Sequence, residues 1–101
     1  MPLTEVGRLA DIPSGTIKVY KVGEREVAVC NVDGDLYAID NVCTHDDGPL
    51  DQGEVIGYEV ECPRHGARFD VRTGEVTEAP AVLPVGTFTV HIKGEEVHVD
   101  A

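Results

Sequence analysis

Two short segments put sulfur and imidazole close together: Cys43-Thr44-His45 and Cys62-Pro63-Arg64-His65. Each is short enough for one loop to aim both side chains at a common point, and two such loops at hairpin tips can face each other across a single metal centre. Four ligands of two kinds result. Gly48-Pro49 follows the first segment and Gly66 the second, so the backbone there can turn tightly and approach a buried inorganic group. Two thiolates and two imidazoles admit a structural zinc ion held by all four side chains, or a 2Fe-2S cluster with both histidines on one iron. Zinc fingers usually group like ligands, Cys-x2-4-Cys and then His-x3-5-His. Here each loop supplies one of each kind, the arrangement met when like ligands reach one iron from different loops.

The elements that must position these loops read as strands. A chain of 101 residues is one domain by length. With no Trp, two Phe and three Tyr, its core must rest on Val, Ile and Leu, a composition that favours sheet. Apolar residues alternate at Ile17 and Val19, at Val27 and Val29, at Phe88, Val90 and Ile92, and at Val97 and Val99, the period of half-buried strands. Turn signals at Val22-Gly23-Glu24, Asp33-Gly34-Asp35 and Lys93-Gly94-Glu95 join them as short hairpins. From Asn41 to about Ala81 the apolar pieces shorten between Gly48-Pro49, Gly53, Gly57, Pro63, Gly66, Gly74 and Pro80, which reads as an insertion of loops and small strands. The expected fold is all-β: an antiparallel sandwich or barrel base from residues 1–40 and 82–101, carrying a smaller subdomain over residues 41–81.

Charge narrows the partners. Eight Lys and Arg against nineteen Asp and Glu leave a net charge of -11, which repels nucleic acid and anionic membrane and suits docking to basic protein patches. No stretch approaches the roughly eighteen apolar residues of a membrane helix, and the N-terminal residues lack a cationic segment followed by an apolar run. The expectation is a cytoplasmic protein. Three cysteines, Cys30, Cys43 and Cys62, are too few for a disulfide framework and fit metal or redox chemistry in a reducing compartment.

"CTH" followed by "CPRHG" resembles the Rieske iron-sulfur signature, Cys-x-His and Cys-x2-His, within a match that extends over the whole chain in length and strand order. The resemblance implies the Rieske fold and one 2Fe-2S cluster, with Cys43 and Cys62 on one iron and His45 and His65 on the other. The stretches "RFDVRTGEV" and "APAVLP" resemble the strand and proline-containing loop that help to cover the cluster in that family. Exchanging two thiolates for neutral imidazoles makes the site about two charges less negative than an all-cysteine one, so an electron is accepted more readily. Respiratory members of the family carry an extra cysteine in each loop, joined as a disulfide, where this chain has Gly48 and Arg64. They also place hydroxyl donors to cluster sulfur where it has Ala67 and Phe69. Fewer donors imply a potential in the lower half of the roughly -150 to +300 mV Rieske range.

By the same resemblance the chain is a soluble one-electron carrier, not an enzyme in itself. It would be monomeric and would dock electrostatically between a flavin-dependent reductase and a terminal oxygenase. The small subunit of an assimilatory nitrite reductase and a zinc-held interaction module are the alternatives. A catalytic mononuclear iron site needs two histidines and a carboxylate, and only His91 and His98 remain outside the loops. Those two are expected to face each other as a solvated cross-strand pair, with nothing acidic fixed beside them by spacing. Cys30 is expected to be a small core residue. Asp46, Asp47, Asp51 and Glu54 read first as turn and solubility residues and, as the alternative, as an acidic rim around the electron exit that meets a basic partner; Arg64 reads as an exposed cation at the tip, placed to meet a partner's carboxylate or to raise the potential by its charge.

Overall fold

The alternating segments form strands joined by two-residue turns, as their turn residues predict. The computed structural model describes residues 3–101. Strand β1 (Leu3–Arg8) leads through a single 3-10 turn, Leu9–Asp11, to β2 (Ile17–Val22), β3 (Arg25–Val32) and β4 (Asp35–Asp40). Val32 pairs with Asp35 across Asp33-Gly34, where both turn residues have left-handed backbone, φ 52° and 98°. That turn matches the right-handed twist of the strands it joins. Four short strands follow: β5 (Glu54–Ile56), β6 (Glu59–Glu61), β7 (Arg68–Asp70) and β8 (Val76–Glu78). The chain ends with β9 (Thr87–Lys93) and β10 (Glu96–Asp100).

The strands assort into two antiparallel sheets. A six-stranded sheet runs β1-β10-β9-β4-β3-β2, and a four-stranded one runs β5-β6-β7-β8. In the large sheet β9 and β4 are joined only through Ala38–Phe88 and Ile39–Thr87, and its end strands β1 and β2 approach each other, so the sheet curls towards a barrel. Val27, Val29, Leu36, Ala38, Val97 and Val99 fill one side of it together with Ile12. The all-β architecture expected from the alternation is the one observed. Among the described residues no helix is long and apolar enough to cross a membrane.

Strand β3 departs from the sequence reading. Alternation predicted one wet face, yet every residue from Val27 to Val32 is buried. The reason is layering: Val27 and Val29 face the interior of the large sheet, whereas Ala28, Cys30 and Val32 pack against Leu50, Val60 and Phe69 from the middle segment. That segment is also richer in core residues than its sequence suggested. Burying Leu50, Val60, Phe69 and Val71 contributes about 1.5–3 kcal/mol for each side chain, so the small sheet is held on the large one by a shared apolar layer.

Candidate metal centre

Each Cys-His segment closes by the same pattern of backbone hydrogen bonds. The Cys43 amide donates to the Gly48 carbonyl at 2.7 Å and receives Asp47 N–H on its own carbonyl at 2.7 Å; the Cys62 amide donates to Ala67 O at 2.7 Å and its carbonyl accepts from Gly66 N at 3.1 Å. The fourth residue after each cysteine has left-handed backbone, Asp47 at φ 60° and Gly66 at φ 76°. The chain therefore builds one turn twice. Glycine suits that backbone and aspartate tolerates it better than most residues.

The loops are anchored from below. Asn41, at the end of β4, accepts the amides of Leu50 at 2.9 Å and Asp51 at 2.8 Å on its side-chain oxygen, and its Nδ2 donates to Asp51 at 3.0 Å and Glu26 at 3.2 Å. One buried amide thus closes the base of the first loop. Sequence reasoning missed it, because an Asn beside a strand end carries no pattern of its own. On the far side Thr44 Oγ1 donates to Leu83 O at 2.6 Å, tying the same loop to the segment before β9, where Val82 and Leu83 stand exposed.

This framework brings the candidates together as two pairs, thiol with thiol and imidazole with imidazole, and His65 Nδ1 lies 3.6 Å from Asp46 Oδ2. Cys43 and Cys62 are fully buried and free, and their sulfurs lie within 4.8 Å of each other and of an Asp46 carboxylate oxygen. His45 and His65 are exposed, with ring centroids 5.1 Å apart and planes at 87°. The sulfurs are thus buried and the imidazoles at the surface. Burial pushes the Cys43 thiol up, opposed by the amides of His45 and Asp46 that hydrogen-bond to it and in part reinforced by Cys62. Ala67 and Phe69 beside the second loop are buried and offer no hydroxyl.

Two further expectations change. Arg64 is not free for a partner: its Nε and Nη2 grip Asp46 at 2.5 and 3.1 Å, and its Nη1 donates to Pro49 O at 3.1 Å. That fork and the Gly48 amide hold the Asp46 carboxyl well below the usual carboxylate range. Asp46 thus does more than shape a turn. His91 and His98 pair across β9 and β10 as expected, but acidic groups do stand beside them. His98 is half-buried, with its Nε2 3.2 Å from Glu96 and Glu5 opposite it on β1. This group is on the large sheet, apart from the loops.

Comparisons with known proteins bear on this geometry. The model of the Rieske [2Fe-2S] domain matches residues 3–89. The chain is 40% identical over 92 residues to the ferredoxin component of the naphthalene 1,2-dioxygenase system of Pseudomonas aeruginosa, covering 91% of this chain and 88% of that one. Among solved structures it is similar to the ferredoxin of carbazole 1,9a-dioxygenase from Nocardioides aromaticivorans IC177, with TM-score 0.93, 38% identity, and 98% and 97% of the two chains covered. It also resembles a chain in a complex of reduced oxygenase and oxidised ferredoxin of carbazole 1,9a-dioxygenase, with TM-score 0.90, 37% identity, and 96% and 91% covered. A Mycobacterium tuberculosis protein proposed to be the small subunit of an NADH-dependent nitrite reductase shares the fold, with TM-score 0.87 but 18% identity.

Proposed function

Because the chain belongs to the Rieske 2Fe-2S family, we propose that Cys43 and Cys62 bind one iron of its cluster and His45 and His65 the other. The protein is a Rieske-type electron carrier related to the ferredoxin components of dioxygenase systems. The donor set fits that group. Two free thiols lie side by side with backbone amides aimed at one of them, and the two imidazoles of the same loops meet edge-on. When bound there, the cluster would supply one-electron chemistry to the site.

The residues around it do the rest. The apolar layer of Leu50, Val60 and Phe69 keeps water from the sulfur side. The exposed rings of His45 and His65 form the edge that a docked partner touches, which shortens the distance an electron must cross. A flavin-dependent reductase supplies electrons and a terminal oxygenase receives them, each docking through a basic patch; the complex containing a similar ferredoxin and its oxygenase supports the second of these. The carrier has no substrate chemistry of its own and acts as a cytoplasmic monomer. Three free cysteines agree with a reducing compartment. The likeness to a nitrite reductase subunit, at 18% identity, speaks for the shared fold alone.

The observation that carries this reading is the pairing of two exposed imidazoles and of two buried thiols on twinned turns. An electron paramagnetic resonance spectrum of the dithionite-reduced protein tests it, with mixed Cys/His ligation expected. Cys62→Ser and His65→Ala should both lose iron. A colourless zinc protein, a spectrum of all-cysteine ligation, or full iron content in either variant would sink the assignment.

A further inference from the structure

We propose that Asp46 and Arg64 form a clasp that locks the two cluster loops together from outside, and that retention of the cluster depends on it. The clasp rests on the electron-carrier reading of the site. Asp46 directly follows His45 in the first loop, and Arg64 directly precedes His65 in the second. The backbone hydrogen bonds of each loop stay within that loop: Cys43 with Gly48 and Asp47, Cys62 with Ala67 and Gly66. The guanidinium of Arg64 bridges the gap. It takes both oxygens of Asp46 in a fork, Nε to Oδ2 at 2.5 Å and Nη2 to Oδ1 at 3.1 Å, and its third nitrogen reaches Pro49 O at 3.1 Å. One side chain therefore holds the first loop at two places.

The receiving side is built to fit. The Gly48 amide donates to Asp46 Oδ1 at 3.0 Å and fixes the carboxylate. Arg64 lies so close to the bare α-carbon of Gly48 that a Cβ there would overlap Cζ and two guanidinium nitrogens. Most exposed ion pairs contribute little. This one differs in being two-pronged, anchored on its acceptor and partly covered, with 32% and 20% of the two side chains exposed. Rigid bidentate geometry of this kind is what arginine, and not lysine, supplies.

Position gives the clasp a second effect. An Asp46 oxygen lies within 4.8 Å of both sulfurs, so an unpaired Asp46 would set an uncompensated negative charge beside the cluster. Loss of the fork and loss of the positive charge then separate in two measurements on the holoprotein: the rate at which an iron chelator bleaches it, and its reduction potential. Arg64→Leu should bleach on the order of tenfold faster and shift the potential down. Arg64→Lys keeps the charge, so it should bleach fast with a potential near that of the wild type. Asp46→Asn should bleach fast without the downward shift. The double variant Asp46→Asn/Arg64→Leu should bleach no faster than either single one, the non-additivity expected of two halves of one contact. Gly48→Ala should bleach fast alone and add nothing to Arg64→Leu. If Arg64→Leu takes up no iron, Arg64→Lys and Gly48→Ala decide the comparison. Wild-type bleaching rates in these variants, or effects that simply add, overturn the clasp while a wild-type mixed-ligand spectrum leaves the electron-carrier reading standing. A wild type without that spectrum overturns both.

Discussion

Cys30 shares an apolar cluster with Cys43 and Cys62, yet it lies on a strand and outside both loops. It sits on β3 between Ile17 of β2 and Tyr37 of β4, fully buried, with no loop to bring it to the centre. Burial alone pushes its thiol up to about 12, so at neutral pH the reactive thiolate is a trace species. In the folded, iron-loaded protein iodoacetamide at pH 8 should leave Cys30 unmodified for hours, and guanidinium should expose it at once; peptide mass mapping reads both. Cys30→Ala should cost about 1 kcal/mol of stability and leave the iron content unchanged. Rapid labelling in the native state would mean that β3 opens far more easily than its burial on two sides implies.

The turn after β7 shows how a local element ties the two sheets together. Asp70 accepts the Arg72 amide at 2.8 Å and its Nε and Nη2 at 3.1 and 2.8 Å. The Arg72 guanidinium then lies 4.1 Å from the ring centre of Tyr58 in the β5–β6 turn, and Tyr58 meets Tyr37 of β4 edge-on, with centroids 6.2 Å apart. The Arg72 fork, with the amides of Arg72 and Thr73, holds Asp70 below its ordinary value despite partial burial. A lowered carboxyl favours the folded state when ionised, so its contribution is complete above the unfolded value of about 4 and disappears as pH falls through the folded one. Asp70→Asn should therefore be less stable than wild type by roughly 1 kcal/mol at pH 7, with the gap closing towards pH 3, as measured by denaturant unfolding across that range. A gap that stays constant with pH would place the Asp70 contribution in packing and not in charge. Little of this network could be read in advance. The long strands and their hairpins were legible because alternation and two-residue turns are local signals, and the four metal-binding candidates because their types and spacing are also local. Strands β5 to β8 are three residues each, too short for a period to declare itself. Likewise the Asp46–Arg64 fork joins residues 18 apart in sequence, and Asn41 reaches Asp51 and Glu26; such pairings arise only when the loops fold against each other. The double burial of β3 was hidden for a related reason, since a period of two describes one strand and says nothing of a second layer.

Charge acts over longer distances than any of these contacts. The three arginines of the middle segment are all engaged by carboxylates: Arg64 by Asp46, Arg68 by Glu59 and Glu61, and Arg72 by Asp70. None of the three is left over to offset the net charge of -11, and Asp47, two residues from His45, stays exposed. A field of one sign speeds the approach of an oppositely charged reactant and is screened beyond about 10 Å at 0.1 M salt. Two small oxidants of opposite charge isolate this effect from any protein-specific docking. In stopped-flow re-oxidation of the reduced protein, a cationic cobalt or ruthenium ammine complex should react more slowly as salt rises, by roughly tenfold between 0.01 and 0.3 M. Ferricyanide, an anion, should react faster over the same range. Opposite slopes would show that the electron leaves through an acidic surface, which requires a partner to present basic residues at the point of contact. Equal slopes, or a cation favoured by added salt, would mean that the surface at the imidazoles is neutral or positive, and that recognition there rests on shape and apolar contact instead of charge.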